Sequence, residues 1–131
     1  MVILVDTSIW VALFRDRTGK EKSRLETWAN DEDIVLTRFN QLELLQGCKD
    51  EREWNVLAGY LDAQEYVETT VDTWPDAARI YFDLRRKGKT VRSPVDCCIA
   101  QLAIESDALL IHRDVDFETI ATIRPLKQLK I

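Results

Sequence analysis

The chain contains one histidine, His112, and three cysteines, Cys48, Cys97 and Cys98. A lone histidine excludes a nuclease built on a paired imidazole acid and base. An odd number of cysteines without C-x-x-C spacing excludes a disulfide framework and a cysteine-rich zinc site, and it predicts a reducing compartment. Three prolines and four glycines leave no room for a flexible linker or a low-complexity segment. No apolar run approaches the ~20 residues of a membrane span. The opening Met1-Val2-Ile3-Leu4-Val5-Asp6 has no basic lead and meets an acid at once, unlike a secretory signal. A cytoplasmic protein is expected. There is no excess of positive charge either: 18 basic side chains face 23 acidic ones, for a net charge of −5. Binding nucleic acid by bulk electrostatics is therefore excluded, and any such site must be a local basic patch or a metal centre.

What is present fits one domain spanning residues 1–131, with 46% hydrophobic residues and enough length for a substantial core. Val2 to Val5 is a continuous apolar run, as in a strand buried on both faces. It ends at Asp6-Thr7-Ser8, side chains that accept from the first amides of a helix. A helix is expected from Ile9 to Phe14, then a polar connection from Thr18 to Lys22, and a second helix from Ser23 to Asn30. Ile34 to Thr37 reads as a strand. Phe39, Leu42, Leu45 and Cys48 repeat at helical spacing, with Glu43 off that stripe. Glu51 to Leu61 is amphipathic and helical. A short strand is expected between Tyr66 and Val71, and a helix from Trp74 to Arg86 with Pro75 in its first turn and Gly88 beyond its end. Ser93-Pro94 opens a further helix. Ala108 to His112 is a buried strand, Phe117 to Ile123 a short helix, and Leu126 to Leu129 an edge strand. Strand and helix alternate, which predicts a mainly parallel sheet covered on both faces.

The chemistry concentrates in acids at element junctions. Asp6 closes the first strand and Asp114 closes the strand after Ala108. Asp96, Ala100 and Ala103 share one helical face, so Asp96 heads an apolar stripe where an unpaired charge is costly. Glu43 lies in the helix after the second strand. In an open parallel sheet, sites form outside the carboxyl ends of the strands. All four acids are therefore expected at one end. Crowded carboxylates repel, and a hard divalent cation such as Mg²⁺ or Mn²⁺ relieves the repulsion. A bland alternative stands beside this, in which the acids only cap helices or face solvent.

Four short segments carry a resemblance: Val5-Asp6-Thr7-Ser8, Leu42-Glu43-Leu44-Leu45-Gln46-Gly47, Ser93-Pro94-Val95-Asp96-Cys97-Cys98-Ile99-Ala100 and His112-Arg113-Asp114-Val115-Asp116-Phe117. Together, and in this order, they resemble a PIN domain, most closely a VapC-type toxin of bacterial toxin–antitoxin pairs. The resemblance implies an α/β three-layer sandwich with a central five-stranded sheet. It also implies a Mg²⁺- or Mn²⁺-dependent endoribonuclease. Its acidic cluster falls on Asp6, Glu43, Asp96 and Asp114, with Asp116 a weaker fifth that is expected to face solvent. One or two ions are implied, with Thr7 or Ser8 orienting Asp6. Water activated by the metal would attack the phosphorus in line and leave a 5′-phosphate. The implied partners are an RNA substrate, a VapB-type antitoxin and a second copy of the chain in a homodimer.

Arg79 to Arg92 is the one basic segment, and Arg85, Arg86, Lys87, Lys89 and Arg92 are candidates for gripping RNA phosphates. Cations at a helix C-terminus are an equally good reading. His112 is a candidate RNA contact, although a structural role at a strand end is the simpler reading. At least one of Cys97 and Cys98 is expected in the core. Trp10, Trp28, Trp54 and Trp74 are expected in core or interface packing, and the first two helices with the Glu51–Leu61 helix offer apolar surface to a partner. Two other functions fit the residues less well. An aspartyl phosphotransferase needs a second Asp two positions after Asp6, where Ser8 stands. A catalytically inactive PIN-like binding module should have lost acids, yet all four are present.

Overall fold

Val2 to Val5 forms β1, the middle strand of a five-stranded sheet. The computed structural model describes residues 1–29 and 33–131, without the side chains of residues 22, 26, 28 and 29. The expected packing of Trp28 and the expected helix end at Asn30 lie outside the described residues. From β1 the chain runs through α1 (Thr7–Arg15), α2 (Lys20–Ala29), β2 (Asp33–Thr37), α3 (Arg38–Gln46), α4 (Glu51–Asp62) and β3 (Tyr66–Val67). The second half holds α5 (Thr73–Arg86), α6 (Pro94–Glu105), β4 (Leu109–His112), α7 (Val115–Ala121) and β5 (Gln128–Lys130). Strand order is β3-β2-β1-β4-β5, and every pairing is parallel.

The alternation of side chains along each strand divides the core in two. Leu4, Val35 and Leu110 face one layer, where they pack with Ala77, Ile80 and Leu84 of α5, Ile99, Ala100 and Ala103 of α6, and Phe117 and Ile120 of α7. Ile3, Val5, Leu36 and Ile111 face the other, against Ile9 and Trp10 of α1, Leu25 of α2, Leu44 of α3 and Leu61 of α4. The result is the expected three-layer sandwich, with a sheet buried on both faces as an all-parallel sheet requires.

Several element limits differ from the sequence reading. The short strand expected between Tyr66 and Val71 occupies Tyr66–Val67, and beyond it the Thr70 amide donates to Thr73 Oγ1 (3.0 Å) as the chain turns into α5. The last helix starts at Val115 rather than Phe117, since Asp114 caps it. The second helix starts at Lys20, right after Gly19, whose φ is +79°. The final strand is shifted to Gln128–Lys130. In α3 the stripe reading fails in part: Leu42 is 61% exposed, and Asn40 and Leu44 are buried instead. Trp10 lies in the core and its Nε1 donates to Val5 O (3.0 Å), whereas Trp54 and Trp74 are exposed. Cys97 is buried, as expected of one of the two cysteines. Among the described residues, no helix is long and apolar enough to cross a membrane.

The helix α5 ends in a Schellman motif that aims the next loop at α6. Gly88 N donates to Arg85 O (3.0 Å) and Lys89 N donates to Leu84 O (2.9 Å). Gly88 has φ +72°, and a Cβ built there meets nothing within 4 Å. Only the left-handed backbone opposes a side chain at this position. Gly88→Ala is therefore expected to lower stability by about 1–2 kcal/mol, read as a lower urea midpoint with an unchanged m-value.

Candidate active site

β1 and β4 lie side by side, and the Asp6 amide donates to Ile111 O (3.0 Å) where the two strands end. Connections leave β1 toward β2 on one side and β4 lies on the other, so this is the point where strand order reverses. Asp6 follows β1 and caps α1; its Oδ2 accepts from Ser8 Oγ (2.8 Å) and Ser8 N (3.3 Å). Asp114 follows β4 and caps α7; its Oδ1 accepts from Asp116 N (3.0 Å). Ser93 caps α6 and Pro94 occupies its first turn, which sets Asp96 one step further along the same turn.

Asp96, Asp114 and Asp116 converge: each offers a carboxylate oxygen, and these atoms lie within 4.8 Å of one another. Asp116, expected to face solvent, is instead buried, with its Oδ2 accepting from Arg92 N (3.0 Å). Its place in the first turn of α7 points it back under Asp114. Asp6 reaches this trio through its charge, which raises Asp96, and Glu43 is linked in turn to Asp6. Burial raises the pKa of Asp6 despite the Ser8 bonds. Burial and the neighbouring Asp6 charge leave Glu43 above the ordinary carboxylate range even though Thr7 donates to it. Asp96 is pushed up to about 7, first by burial, then by the charges of Asp114, Asp6 and Asp116. The trio and Asp6 thus influence one another's charge, and Glu43 is connected to them through Asp6.

The hydroxyls divide their work. Ser8 serves Asp6, whereas Thr7 Oγ1 donates to Glu43 Oε1 (2.9 Å). Asn40 completes this arm: its Nδ2 donates to Thr7 Oγ1 (2.9 Å), and its Oδ1 accepts from Thr37 N and Thr37 Oγ1 (both 2.9 Å). The sequence reading missed Asn40. Its signal is Thr37 followed three residues later by Asn40, a capping box with Asn in the place of Glu or Gln.

The candidate RNA contact His112 lies inside the fold. It is buried; its Nδ1 accepts from Asp114 N (3.0 Å), its Nε2 meets Gln128 Oε1 at 2.7 Å, and its ring packs on Phe117. It fixes the backbone that carries Asp114. Within the basic segment, Arg92 alone touches the acids among the described residues. Arg85, Arg86 and Lys87 are exposed at the end of α5, and Lys89 Nζ donates to Thr122 Oγ1 (3.1 Å). Burial, then the nearby Asp96 charge, pushes the Cys97 thiol up to about 12, so it is no nucleophile near neutral pH.

A donor set made only of carboxylate oxygens, drawn from separate elements and partly withdrawn from water, suits a hard divalent cation better than zinc or copper. The family model described as PIN domain matches residues 3–123. The chain belongs to the PIN domain family. Ribonuclease VapC11 of Mycobacterium tuberculosis is 35% identical to this PIN domain over 130 residues, covering 96% of each chain. Among solved structures, VapBC2 from Rickettsia felis bound to a promoter DNA fragment superimposes with TM-score 0.80 at 21% identity, covering 100% of this chain and 99% of the other. A toxin–antitoxin complex from Klebsiella pneumoniae gives TM-score 0.74 at 19% identity, over 98% and 99%.

The raised pKa of Asp96 has a definite consequence for stability. The unfolded carboxyl loses its proton near its model value of 3.8, whereas the folded one keeps it to about 7. The contribution of Asp96 to stability is complete at low pH and is lost as pH rises through that window. Without divalent ions, Asp96→Asn should match the wild type near pH 4. At pH 8 it should exceed it by about 1–2 kcal/mol, a figure discounted for solvent screening, in urea titrations at the two pH values.

Proposed function

We propose that this PIN domain is a metal-dependent endoribonuclease and the toxin of a VapBC-type toxin–antitoxin module. The convergence of Asp96, Asp114 and Asp116 carries the reading. The ribonuclease name of its 35%-identical relative supports the activity. The VapBC and toxin–antitoxin complexes among its structural neighbours support an antitoxin partner. A homodimer is part of the same proposal, as is a cytoplasmic location.

Asp96, Asp114 and Asp116 would hold an Mg²⁺- or Mn²⁺-class ion, with Asp6 and Glu43 beside it as further ligands or as the site of a second ion. Such an ion supplies a Lewis acid for a phosphoryl oxygen and activates a water for in-line attack. The chain's own part is to keep the carboxylates together and correctly aimed. Ser8 holds Asp6, the Thr37–Asn40–Thr7 relay holds Glu43, and His112 holds the backbone of Asp114. Burial disfavours the charged forms of Asp6 and Glu43, a cost that a cation bound beside them would offset. The exposed cations Arg85, Arg86, Lys87 and Lys89 would contact RNA phosphates, which positions the strand without reading its sequence.

The helical surface of α1 and α4 is a candidate for the antitoxin. A groove of ≈ 560 Å³ lies there, lined by Phe14, Val56, Leu57 and Tyr60 and rimmed by Asp50, Arg52 and Glu53. Apolar floor and charged rim suit an amphipathic segment.

RNA cleavage should require added Mg²⁺ or Mn²⁺ and stop with EDTA. Asp6→Asn and Asp96→Asn should each lower the cleavage rate at least about a hundredfold with circular dichroism unchanged. Cleavage by both variants at the wild-type rate would refute the metal assignment.

A further inference from the structure

The loop between α5 and α6 ends on an arginine that is held at two levels. Val91 is buried and anchors the loop in the core. The Arg92 amide donates to Asp116 Oδ2 (3.0 Å). The side chain then reaches over the same cluster: Nε donates to Asp116 Oδ2 (3.3 Å) and Nη2 donates to Asp114 Oδ1 (2.8 Å). The two partners differ sharply in exposure. The Arg92 side chain is 76% exposed, whereas Asp114 and Asp116 are 22% and 7% exposed. The main-chain bond is therefore fixed by the fold, while the guanidinium lies on the solvent side and can swing away without opening the core.

We propose that the Arg92 guanidinium is a resident counter-cation that competes with the divalent ion for Asp114 and Asp116 and is displaced when the ion binds. The inference rests on the metal-centre reading above. Its physical basis is that both cations seek the same oxygens and repel each other at close range. An exposed pair with a long side chain is held weakly, because screening and side-chain entropy offset most of its attraction. A divalent ion bound by several carboxylates gains more, so the ion prevails. Before it arrives, the arginine keeps two crowded acids from repelling one another out of position. Asp116 stays oriented after displacement, since its bond to the Arg92 amide does not depend on the side chain. The freed guanidinium stays tethered at the rim by Val91, as a donor fork next to the metal.

The test is a Mn²⁺ titration followed by electron paramagnetic resonance, using the metal-free full chain. Arg92→Gln keeps the loop backbone and should fold as the wild type does by circular dichroism. It is expected to bind Mn²⁺ about two- to tenfold more tightly than the wild type. In the ¹⁵N spectrum of the wild type, the Arg92 Nε–H resonance should move toward that of free arginine on saturation with Mg²⁺. Equal or weaker Mn²⁺ binding by Arg92→Gln overturns the proposal, as does an Nε–H resonance that Mg²⁺ leaves in place. If the wild type binds no Mn²⁺, the metal-centre reading falls with it. Binding by the wild type with no gain in Arg92→Gln removes this inference alone.

Discussion

Like charge gathered at the carboxyl ends of β1 and β4 is the constraint that the rest of this structure answers. Asp6 and Asp114 are brought together by the central parallel pairing, which ends with the Asp6 amide bonded to Ile111 O. Neither acid can withdraw without breaking the sheet at its middle. Asp96 and Asp116 are carried to the same point by the first turns of α6 and α7, and those helices are held by the apolar layer around Ile99, Leu110 and Phe117. The packing free energy of that layer thus sustains a repulsion that no carboxylate cluster would accept in solution.

The polar groups around the acids limit how the cluster can relax. Ser8 and Thr7 donate to Asp6 and Glu43, Asn40 donates to Thr7, and His112 accepts from the Asp114 amide. None of them brings a full charge, so they aim the carboxylates without neutralising them. The remaining negative charge is of the kind that a small multivalent cation neutralises better than water does. Arg92 is the exception, and its exposure keeps its hold weak.

Much of this was legible in the residues. The apolar run Val2–Val5 ending in Asp6, and the acid after the buried strand at His112, were enough to place two carboxylates at one sheet end. Helical spacing from Asp96 to Ala103 placed a third. What remained hidden had local causes. Asp116 looks like a solvent-facing helix acid by spacing, and only the docking of the Arg92 loop on α7 shows it to be enclosed. The α3 stripe misled because a capping box turned Asn40 inward, which rotated Leu42 to the surface. Thr7 and Ser8 are adjacent and chemically alike, so nothing in their order tells which acid each serves. That division follows from α3 lying against α1, a contact between residues more than thirty positions apart.

The sheet ends on short strands at both sides, with two residues in β3 and three in β5. A brief edge offers too few free amides and carbonyls to template another strand, so growth of the sheet from copy to copy is suppressed. The outer helices instead present apolar side chains, with Phe14, Leu42, Trp54 and Trp74 exposed. A protein made this way can meet its partners by side-chain fit while its backbone ladder stays closed to them.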